Sequence, residues 1–413
     1  MSIWLDRAAA WLTLRRIRAH TIVLALCLWG ACTVDFATPG LFDRAGNIKF
    51  QDFLQFPISA SLIAHGRAAY LYDDHVLNQQ IRAIVGRNTT VYLQYLYGPQ
   101  VALPFAALLP FPFLIQAEVW VAFSLLVYFG CVYLIWKQCP ALARYKSLVA
   151  LTAIAYPPLF HFFVRGQLSA IVLLCFTAAY VALQAKHEWL AGIALGVLAF
   201  KPQFLVAIPI ILLIAKTWKV LTGLVISAAA QLAFSYFCFG RDIMQNYAEM
   251  LLRSARNPGS TELIFSPLQM HSLRSFWELL IPSHAIVAAL YMLSSLTVIA
   301  IATTIWKTSS PLALRFSALL LAAVLVNPHL YIYDLLALAP MFLLLADWSM
   351  CHAPAPPALR VLLYLAFLLP LFGPLARWTH LQLSVVAFVA LLWIVYRATR
   401  LQVAHAPLEV KQS

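Results

Sequence analysis

Long apolar runs, separated by short polar segments, follow one another along most of the 413-residue chain. A helix needs about 20 apolar residues to cross the hydrocarbon core of a bilayer, and several runs reach this length. The runs do not alternate between polar and apolar residues, as the strands of a membrane barrel would. We therefore predict an all-α fold, a polytopic membrane helix bundle that forms a single integral membrane domain over residues 1–413.

About twelve spans account for these runs. A Pro-rich stretch at residues 97–112 precedes a span that begins near Phe113, and we expect this stretch to form a short re-entrant or interfacial segment. The sequence KPQ interrupts the run at residues 189–214, and Pro202 lacks the amide hydrogen of a helix interior, which predicts two half-helices. The other predicted spans cover residues 20–37, 148–163, 168–184, 220–239, 285–306, 312–326, 331–346, 361–375 and 381–396.

Two longer polar segments, residues 38–98 and 240–282, are expected to form loops. Lys and Arg residues precede the first span and follow several later ones, and such short basic segments are typical of the cytoplasmic side. Both loops then lie on the extracytoplasmic face of a bacterial cytoplasmic membrane, the first as an amphipathic segment on the membrane surface that holds Asp52. Because many spans follow the first apolar run, we expect that run to be an uncleaved helix and not a signal peptide.

Composition agrees with a membrane protein, because 63% of the residues are hydrophobic and only 10% are charged. The 28 Lys and Arg against 15 Asp and Glu would suggest nucleic acid in a soluble protein. Here membrane orientation explains much of the excess, and we expect no nucleic-acid partner. The seven cysteines include no Cys-x-x-Cys pair, so neither a disulfide framework nor a zinc site is indicated.

Polar interruptions of the apolar runs fall on one side of the membrane in this topology. Asp52, Tyr97, Gln167, Lys201 and the segment 327–334 all lie at or near the predicted extracytoplasmic face. Ionisable groups at membrane depth are costly unless they are paired or hydrated. The sequence therefore predicts that these residues line a polar cavity.

Five motifs in this part of the chain resemble, in order and spacing, the signatures of family-87 glycosyltransferases. They are DFLQFPISASLIAHGRAAYLYD, YLYGPQVALPFAALLPFP, RGQLSAIVLL, GIALGVLAFKPQ and NPHLYIYD. The family belongs to the GT-C superfamily and includes enzymes similar to mycobacterial mannosyltransferases that use polyprenyl-phosphate mannose. The resemblance covers roughly residues 20–350. It implies inverting transfer of one hexose or pentose, by family precedent mannose, from a polyprenyl-phosphate donor to a hydroxyl of a lipid, glycan or protein acceptor.

Asp52 matches the acidic position that follows the family's first helix, and the resemblance implies that it is the general base. An acceptor hydroxyl is a poor nucleophile, so a carboxylate must take its proton as it attacks the sugar. The alternative is that Asp52 caps the helix that follows it. Asp35 has a similar local sequence but lies at the end of the first span, whereas Asp73 and Asp74 are expected to be turn and cap residues.

The resemblance also implies a set of binding residues, and two of them could instead have only a structural role. Lys201 is a candidate for the donor phosphate or for snorkelling at a half-helix end, and Gln167 is a candidate for a sugar hydroxyl or for interhelical packing. The sequence departs from the family at His271, where we expect Gln, and in YIYD, residues 331–334, which is less similar to the family's usual His-Asp pairing at Asp334. The full set of substrate-binding candidates is Tyr97, Gln167, Lys201, Ser272, His329 and Asp334, and the candidates for the lipid phosphate are Arg165, Arg253, Arg256 and Arg274.

We expect no metal and no other cofactor. A divalent-cation site needs clustered carboxylates, and the sequence places only Asp43, Asp73 and Asp74 in the same polar segment as Asp52. No Walker or Rossmann motif is present, which favours a lipid-linked donor over a nucleotide sugar. Two other classes remain open: another membrane transferase of envelope glycan assembly, and a secondary transporter, although the chain shows no convincing internal repeat.

Overall fold

The computed structural model describes residues 2–86, 91, 93–256, 267–352 and 356–404, without the side chains of 2–4, 255, 256 and 402–404. Within these ranges the chain forms 18 α-helices and nine 3₁₀ helices. The α-helices are α1 Ser2–Trp11, α2 Leu14–Phe36, α3 Gln55–Ala64, α4 Asp74–Val85, α5 Phe113–Trp136, α6 Lys146–Ile154, α7 Pro157–Arg165, α8 Ser169–Gln184, α9 Glu188–Gly196, α10 Ile208–Ile214, α11 Trp218–Arg256, α12 Leu273–Leu280, α13 His284–Trp306, α14 Leu312–Leu325, α15 Ala339–Cys351, α16 Pro357–Leu368, α17 Ala376–Thr379 and α18 Leu383–Ala404. The 3₁₀ helices are Gln51–Leu54, Ala68–Tyr70, Pro99–Leu108, Pro140–Tyr145, Val197–Phe200, Pro202–Leu205, Pro267–Gln269, Ile332–Leu338 and Leu369–Leu375.

The predicted all-helical class is confirmed, since the only extended pairings among the described residues are two isolated bridges. In the described part of the chain, seven helices are long and apolar enough to cross a membrane, or eight if the bent pair of Pro140–Ile154 and Pro157–Arg165 is one span. The expected number of about twelve is therefore not confirmed. The difference arises because several predicted spans, such as Ser169–Gln184 and Leu312–Leu325, form apolar helices of only 10–17 residues.

The predicted break at residues 201–203 is present. A 3₁₀ helix ends at Phe200, Lys201 leaves the helical region with φ −133° and ψ 71°, and a second 3₁₀ helix begins at Pro202. α10 then starts at Ile208. Because Pro202 has no amide hydrogen, the first half-helix ends before it and the second begins at it, which leaves Lys201 between the two.

The predicted loop at residues 240–282 is largely helical where the structure describes it. α11 continues past Gly240, which forms a kink with φ 82°, and ends at Arg256. Tyr247 and Met250 are buried, and Ile243 and Leu251 pack against the core. This spacing is that of an amphipathic helix, and the polar residues between these positions concealed it in the sequence.

The described part of residues 38–98 does not lie on the surface throughout, as the predicted amphipathic surface segment would. In α3 and the 3₁₀ helix before it, Phe53, Leu54 and Phe56 are completely buried, so this part of the segment lies inside the protein. The amphipathic helix of the segment is α4, which begins with Asp73 as its N-cap. Asp73 accepts hydrogen bonds from the backbone amides of His75 and Val76, which confirms its expected capping role.

α9, which precedes the Lys201 break, and α11 approach each other closely through glycines. A Cβ atom on Gly192 of α9 would lie 2.1 Å from the carbonyl oxygen of Val220, and one on Gly223 of α11 would lie 2.5 Å from the carbonyl oxygen of Trp189. Small residues allow helix backbones to approach in this way in membranes. The contact fixes the half-helix that leads to Lys201.

The centre of the bundle is α14, in which every residue from Phe316 to Leu325 is buried. A helix that is apolar on all sides is surrounded by other helices. α8 and the 3₁₀ helix Ile332–Leu338 are also largely buried and contact each other. These buried elements hold the polar residues described next.

Candidate active site

Asp52 lies in the 3₁₀ helix Gln51–Leu54, which aromatic residues hold in place. The neighbouring Phe53 is fully buried and its ring lies 5.6 Å from that of Phe105 and 6.4 Å from that of Trp120. The side chain of Gln55 donates to the backbone carbonyl of Asp52 at 2.8 Å. The backbone of Asp52 is thus fixed, while its side chain remains 15% exposed.

A glycine turn brings two polar side chains to Asp52. α7 ends at Arg165, and Gly166 adopts the left-handed conformation with φ 69°. A Cβ atom at Gly166 would lie 2.9 Å from the Cβ of Phe53, so only glycine fits both the conformation and the space. The turn therefore directs Arg165 and Gln167, on either side of it, toward the same carboxylate.

Gln167 connects Asp52 to Tyr97. Its Nε2 donates to Asp52 Oδ2 at 3.0 Å, and its Oε1 accepts from the Tyr97 hydroxyl at 3.0 Å. Trp120 Nε1 also donates to the backbone carbonyl of Gln167 at 3.3 Å. Both polar atoms of the Gln167 amide therefore have protein partners, and one of these partners is the proposed base.

Arg165 gives Asp52 a nearby positive charge. Its Nη1 lies 3.6 Å from Asp52 Oδ1, a distance for an ion pair and too long for a good hydrogen bond. The Arg165 side chain is 35% exposed. None of the hydrogen bonds found among the described side chains ends on the Asp52 carboxylate from a backbone amide, so the capping alternative for Asp52 receives no support there.

Asp334 and Lys201 form a second, more deeply buried pair. The Lys201 ammonium donates to Asp334 Oδ1, and the two side chains are 4% and 1% exposed. Ser169 donates to the same oxygen at 2.8 Å, and the backbone amide of Tyr331 donates to Oδ2 at 3.4 Å. The Lys201 ammonium also lies 5.6 Å from the centre of the Tyr333 ring. Lys201 is thus neutralised by a carboxylate inside the protein and does not snorkel to a surface.

The two carboxylates belong to one site because a single short segment contacts both. Gln167 donates to Asp52, and Ser169, two residues later, donates to Asp334. Burial, followed by the negative charges of Asp334 and Asp52, raises the pKa of the Tyr97 hydroxyl well above its usual range. The Tyr97 hydroxyl is therefore protonated at physiological pH and lies within range of both carboxylates.

His329 is close to the positive side of this site. Burial, Lys201 and Arg274 together lower the pKa of its imidazole to about 3, so the ring is neutral at physiological pH. Its ring packs edge-on against Tyr331 at 5.1 Å, and its backbone amide donates to Asn327 Oδ1. The segment 327–334 therefore brings His329 and Asp334 to one region, as the sequence predicts.

The contacts found for three other candidates, Ser272, Arg274 and Arg253, do not include Asp52, and the side chain of a fourth, Arg256, lies outside the described part of the structure. Ser272 is the N-cap residue of α12, and Arg274 in the same helix donates to Glu278 at 2.9 Å. Arg253 lines a different polar cavity of about 510 Å³, which Asp73 and Asn246 also line. The backbone of Arg256 ends α11, and its side chain lies outside the described part of the structure.

His271, the position that departs from the family pattern, has a structural role. Its Nδ1 lies 2.7 Å from the hydroxyl of Ser384, and its backbone amide donates to the carbonyl of Leu330. The residue is 1% exposed, and burial lowers the pKa of its imidazole to about 3. His271 therefore joins the start of α12 to α18 and to the segment that carries His329.

Sequence reasoning missed two groups that contact Asp334, the hydroxyl of Ser169 and the backbone amide of Tyr331. The only available signal for Ser169 was its position two residues after Gln167 in the RGQLS sequence. Among the described residues, no group of three or more His, Cys, Asp or Glu side chains is arranged to hold a metal ion, and the absence of a metal stays a prediction. All seven cysteines are free thiols.

Comparison with known protein families gives a match, and it fits a polytopic membrane protein with a polar site of this kind. The model of glycosyltransferase family 87 matches residues 95–328, more than half of the chain. The chain therefore belongs to glycosyltransferase family 87 and is a membrane glycosyltransferase. Asp52 and Asp334 lie outside the matched residues, but Gln167 and Lys201, which contact them, lie inside. No curated protein and no solved structure matches the chain.

Proposed function

We propose that this glycosyltransferase moves one hexose or pentose, in the first instance mannose, from a polyprenyl-phosphate donor to a hydroxyl of a lipid, glycan or protein acceptor. The observation that carries the proposal is a partly exposed carboxylate side chain, Asp52, beside a partly exposed guanidinium, Arg165. The Asp52 carboxylate can take the proton of the acceptor hydroxyl, and the Arg165 guanidinium can bind a phosphate. The proposed place is the extracytoplasmic face of a bacterial cytoplasmic membrane, in a bundle of the GT-C type.

Asp52 acts as the general base in this proposal. The acceptor oxygen attacks the anomeric carbon, its proton passes to Asp52 Oδ1, and the bond from the sugar to the phosphate oxygen breaks. The polyprenyl phosphate leaves with the bonding electron pair, and the configuration at the anomeric carbon inverts. Asp52 Oδ2 is occupied by Gln167, whereas Oδ1 faces Arg165 at 3.6 Å without a short hydrogen bond, which leaves it available to the acceptor.

Arg165 is the best candidate for the leaving phosphate. Lys201 donates directly to Asp334 in a buried pair, and Arg274 donates to Glu278 at 2.9 Å, whereas Arg165 approaches Asp52 only at 3.6 Å and makes no short hydrogen bond to it. Arg165 is more exposed than either, and a guanidinium offers a fork of donors that matches phosphate oxygens. In this assignment Lys201 and Asp334 support the wall of the site and do not touch the phosphate.

An apolar cavity of about 420 Å³ supports a lipid-linked donor. It is lined by α2, α6, α15 and α16 residues and reaches Tyr156, whose hydroxyl donates to the carbonyl of Leu335 at 2.7 Å. Leu335 follows Asp334 directly. An isoprenoid chain that enters this cavity with its phosphate toward Tyr156 would leave the phosphate near the buried polar residues.

The test uses membranes that lack the endogenous protein and contain either the wild type or Asp52→Asn, with radiolabelled polyprenyl-phosphate mannose as donor. We expect labelled lipid or glycan product with the wild type and a rate about 10² to 10⁴ lower with Asp52→Asn, the usual contribution of a general base. Asp35→Asn is the matched control, because Asp35 also precedes a phenylalanine but lies at the end of α2. Equal product from wild type and Asp52→Asn would remove Asp52 from catalysis. No product from folded wild type, with mannose, other hexose or pentose donors, would refute the proposed transfer.

The lipid-linked donor has a separate test in the apolar cavity. Ala346 lines this cavity, and Ala346→Trp should raise the KM for a long-chain polyprenyl-phosphate sugar more than the KM for a short-chain one. The short donor is the internal control, because a general loss of folding would affect both donors alike. The same change in KM for both chain lengths would contradict this use of the cavity.

A further inference from the structure

The hydrogen bonds from Tyr97 to Gln167 to Asp52 have only one consistent direction. An ionised carboxylate accepts hydrogen bonds and donates none, so the atom of Gln167 that faces Asp52 Oδ2 is the amide nitrogen. The amide oxygen of Gln167 then faces Tyr97, and this oxygen also only accepts. The Tyr97 hydroxyl must therefore be the donor. The three groups form an ordered chain in which each donor has one acceptor.

Tyr97 is itself held firmly. It is 6% exposed, its ring lies 5.3 Å from that of Phe56 and 5.8 Å from that of Tyr95, and its backbone carbonyl accepts from the Tyr72 hydroxyl at 2.9 Å. A buried phenol with these contacts has little freedom to rotate. Its hydroxyl is therefore a fixed reference for the orientation of the Gln167 amide.

We infer that Tyr97 is a positioning residue for the Asp52 base, acting through Gln167. By donating to Gln167 Oε1, it prevents the amide from turning its oxygen toward Asp52, which would place two acceptors face to face. The Gln167 Nε2 then occupies Asp52 Oδ2, and the other oxygen of the carboxylate is presented to the acceptor hydroxyl. This inference rests on the proposed function and changes the expected role of Tyr97 and Gln167 from substrate binding to alignment of the base.

Other groups near Asp52 also influence its carboxylate, and a test must distinguish their effect from that of Tyr97. Arg165 faces the carboxylate from the end of α7, and Tyr331 and Tyr333 lie within range of its charge from the segment before α15. None of these groups changes when the Tyr97 hydroxyl is removed. A carboxylate that loses an ordered donor holds its proton more tightly, so the effect on Asp52 should be visible in the pH dependence of the rate.

The first variant is Tyr97→Phe, which keeps the buried ring and removes only the hydroxyl. We expect kcat to fall by about 3- to 10-fold, the equivalent of one hydrogen bond, with the donor KM unchanged. The acid limb of the pH–rate profile should move to higher pH by about 0.5 to 1 unit. Tyr95→Phe is the matched control. Tyr95 is also buried and its hydroxyl donates to the backbone carbonyl of Gly98, but none of its recorded contacts reaches Gln167.

A double-mutant cycle shows whether Tyr97 acts through Gln167. Gln167→Met keeps the length of the side chain and removes both polar atoms, so it should give the same kcat loss and pH shift. Tyr97→Phe added to Gln167→Met should cost nothing further, because the chain is already broken. Additive losses would overturn the inference, as would a wild-type pH profile in Tyr97→Phe. If Tyr97→Phe fails to fold, a wild-type rate and pH profile in Gln167→Met would overturn it equally.

The failure of this inference differs from a failure of the proposed function. Inactive wild type with every lipid-linked donor would remove the proposed function. Active wild type together with Tyr97→Phe and Gln167→Met variants that match it in kcat and pH dependence would leave the transfer intact and remove only the positioning role.

Discussion

Substituting one partner of the buried Lys201–Asp334 pair should destabilise the protein far more than substituting both partners with uncharged residues. In Lys201→Met the Asp334 carboxylate, 1% exposed, keeps only Ser169 and the Tyr331 amide as partners. Removal of one partner of a buried ion pair costs about 3–5 kcal/mol, because the other charge remains buried without compensation. Lys201→Met/Asp334→Asn removes both charges and keeps similar volumes, so it should recover most of this loss.

Thermal unfolding in one detergent, followed by tryptophan fluorescence, measures this comparison. One kcal/mol corresponds to about 2–4 °C in Tm for a domain of 150–250 residues and to less in a larger chain, so the single variant should unfold several degrees below the wild type. The double variant should lie closer to the wild type than Lys201→Met does. Lys219→Met is the control, because the Lys219 ion pair with Glu188 is exposed on both sides and contributes little. Equal Tm values for the single and double variants would refute the explanation that Lys201→Met leaves an uncompensated buried charge on Asp334.

Three further predictions concern the glycine turn, the helix contact and the buried imidazole. Gly166→Ala should lower both the Tm and the transfer rate, because the left-handed conformation costs about 1–2 kcal/mol and the new Cβ meets Phe53 at 2.9 Å; wild-type values for both would contradict the geometry. Gly192→Val should lower the yield of folded protein in size-exclusion chromatography, since its Cβ would lie 2.1 Å from a backbone oxygen, whereas the same change at Gly130, which has open space around it, should not. The pKa of His271 is lowered to about 3 in the folded protein, so the unfolded chain binds the extra proton and stability should fall as the pH decreases from about 6.5 toward 3. His271→Gln should flatten this pH dependence of Tm, and an unchanged slope would show that His271 does not contribute.

The helical class and the break at Lys201 were predictable because they depend on local chemistry. An apolar run of about 20 residues has few alternatives in a membrane, and a proline in its middle removes a hydrogen bond wherever the helix lies. The motif residues Tyr97, Gln167 and Asp52 were also found as candidates, and the structure joins them by hydrogen bonds. Their roles stay predictions.

The partners of the buried charges were not predictable. Lys201 and Asp334 are 133 positions apart, and several cations in the sequence could have met that carboxylate equally well. The helical part of residues 240–256 was missed for a different reason. Its apolar face is narrow, because it packs on the rest of the protein through only a few residues such as Tyr247 and Met250. Which cation pairs with the Asp334 carboxylate depends on tertiary packing, and a single sequence does not contain that information.

The segment from Arg165 to Ser169 places a mechanical restriction on the site. It joins α7 to α8 and contacts both carboxylates within five residues, Asp52 through Arg165 and Gln167, and Asp334 through Ser169. A tilt of α7 against α8 would thus pull on both acids at once and separate them from their donors. We therefore expect other elements around the site to move when a bulky substrate enters. The segment from Arg165 to Ser169 should stay in place and keep Asp52 and Asp334 at a constant separation.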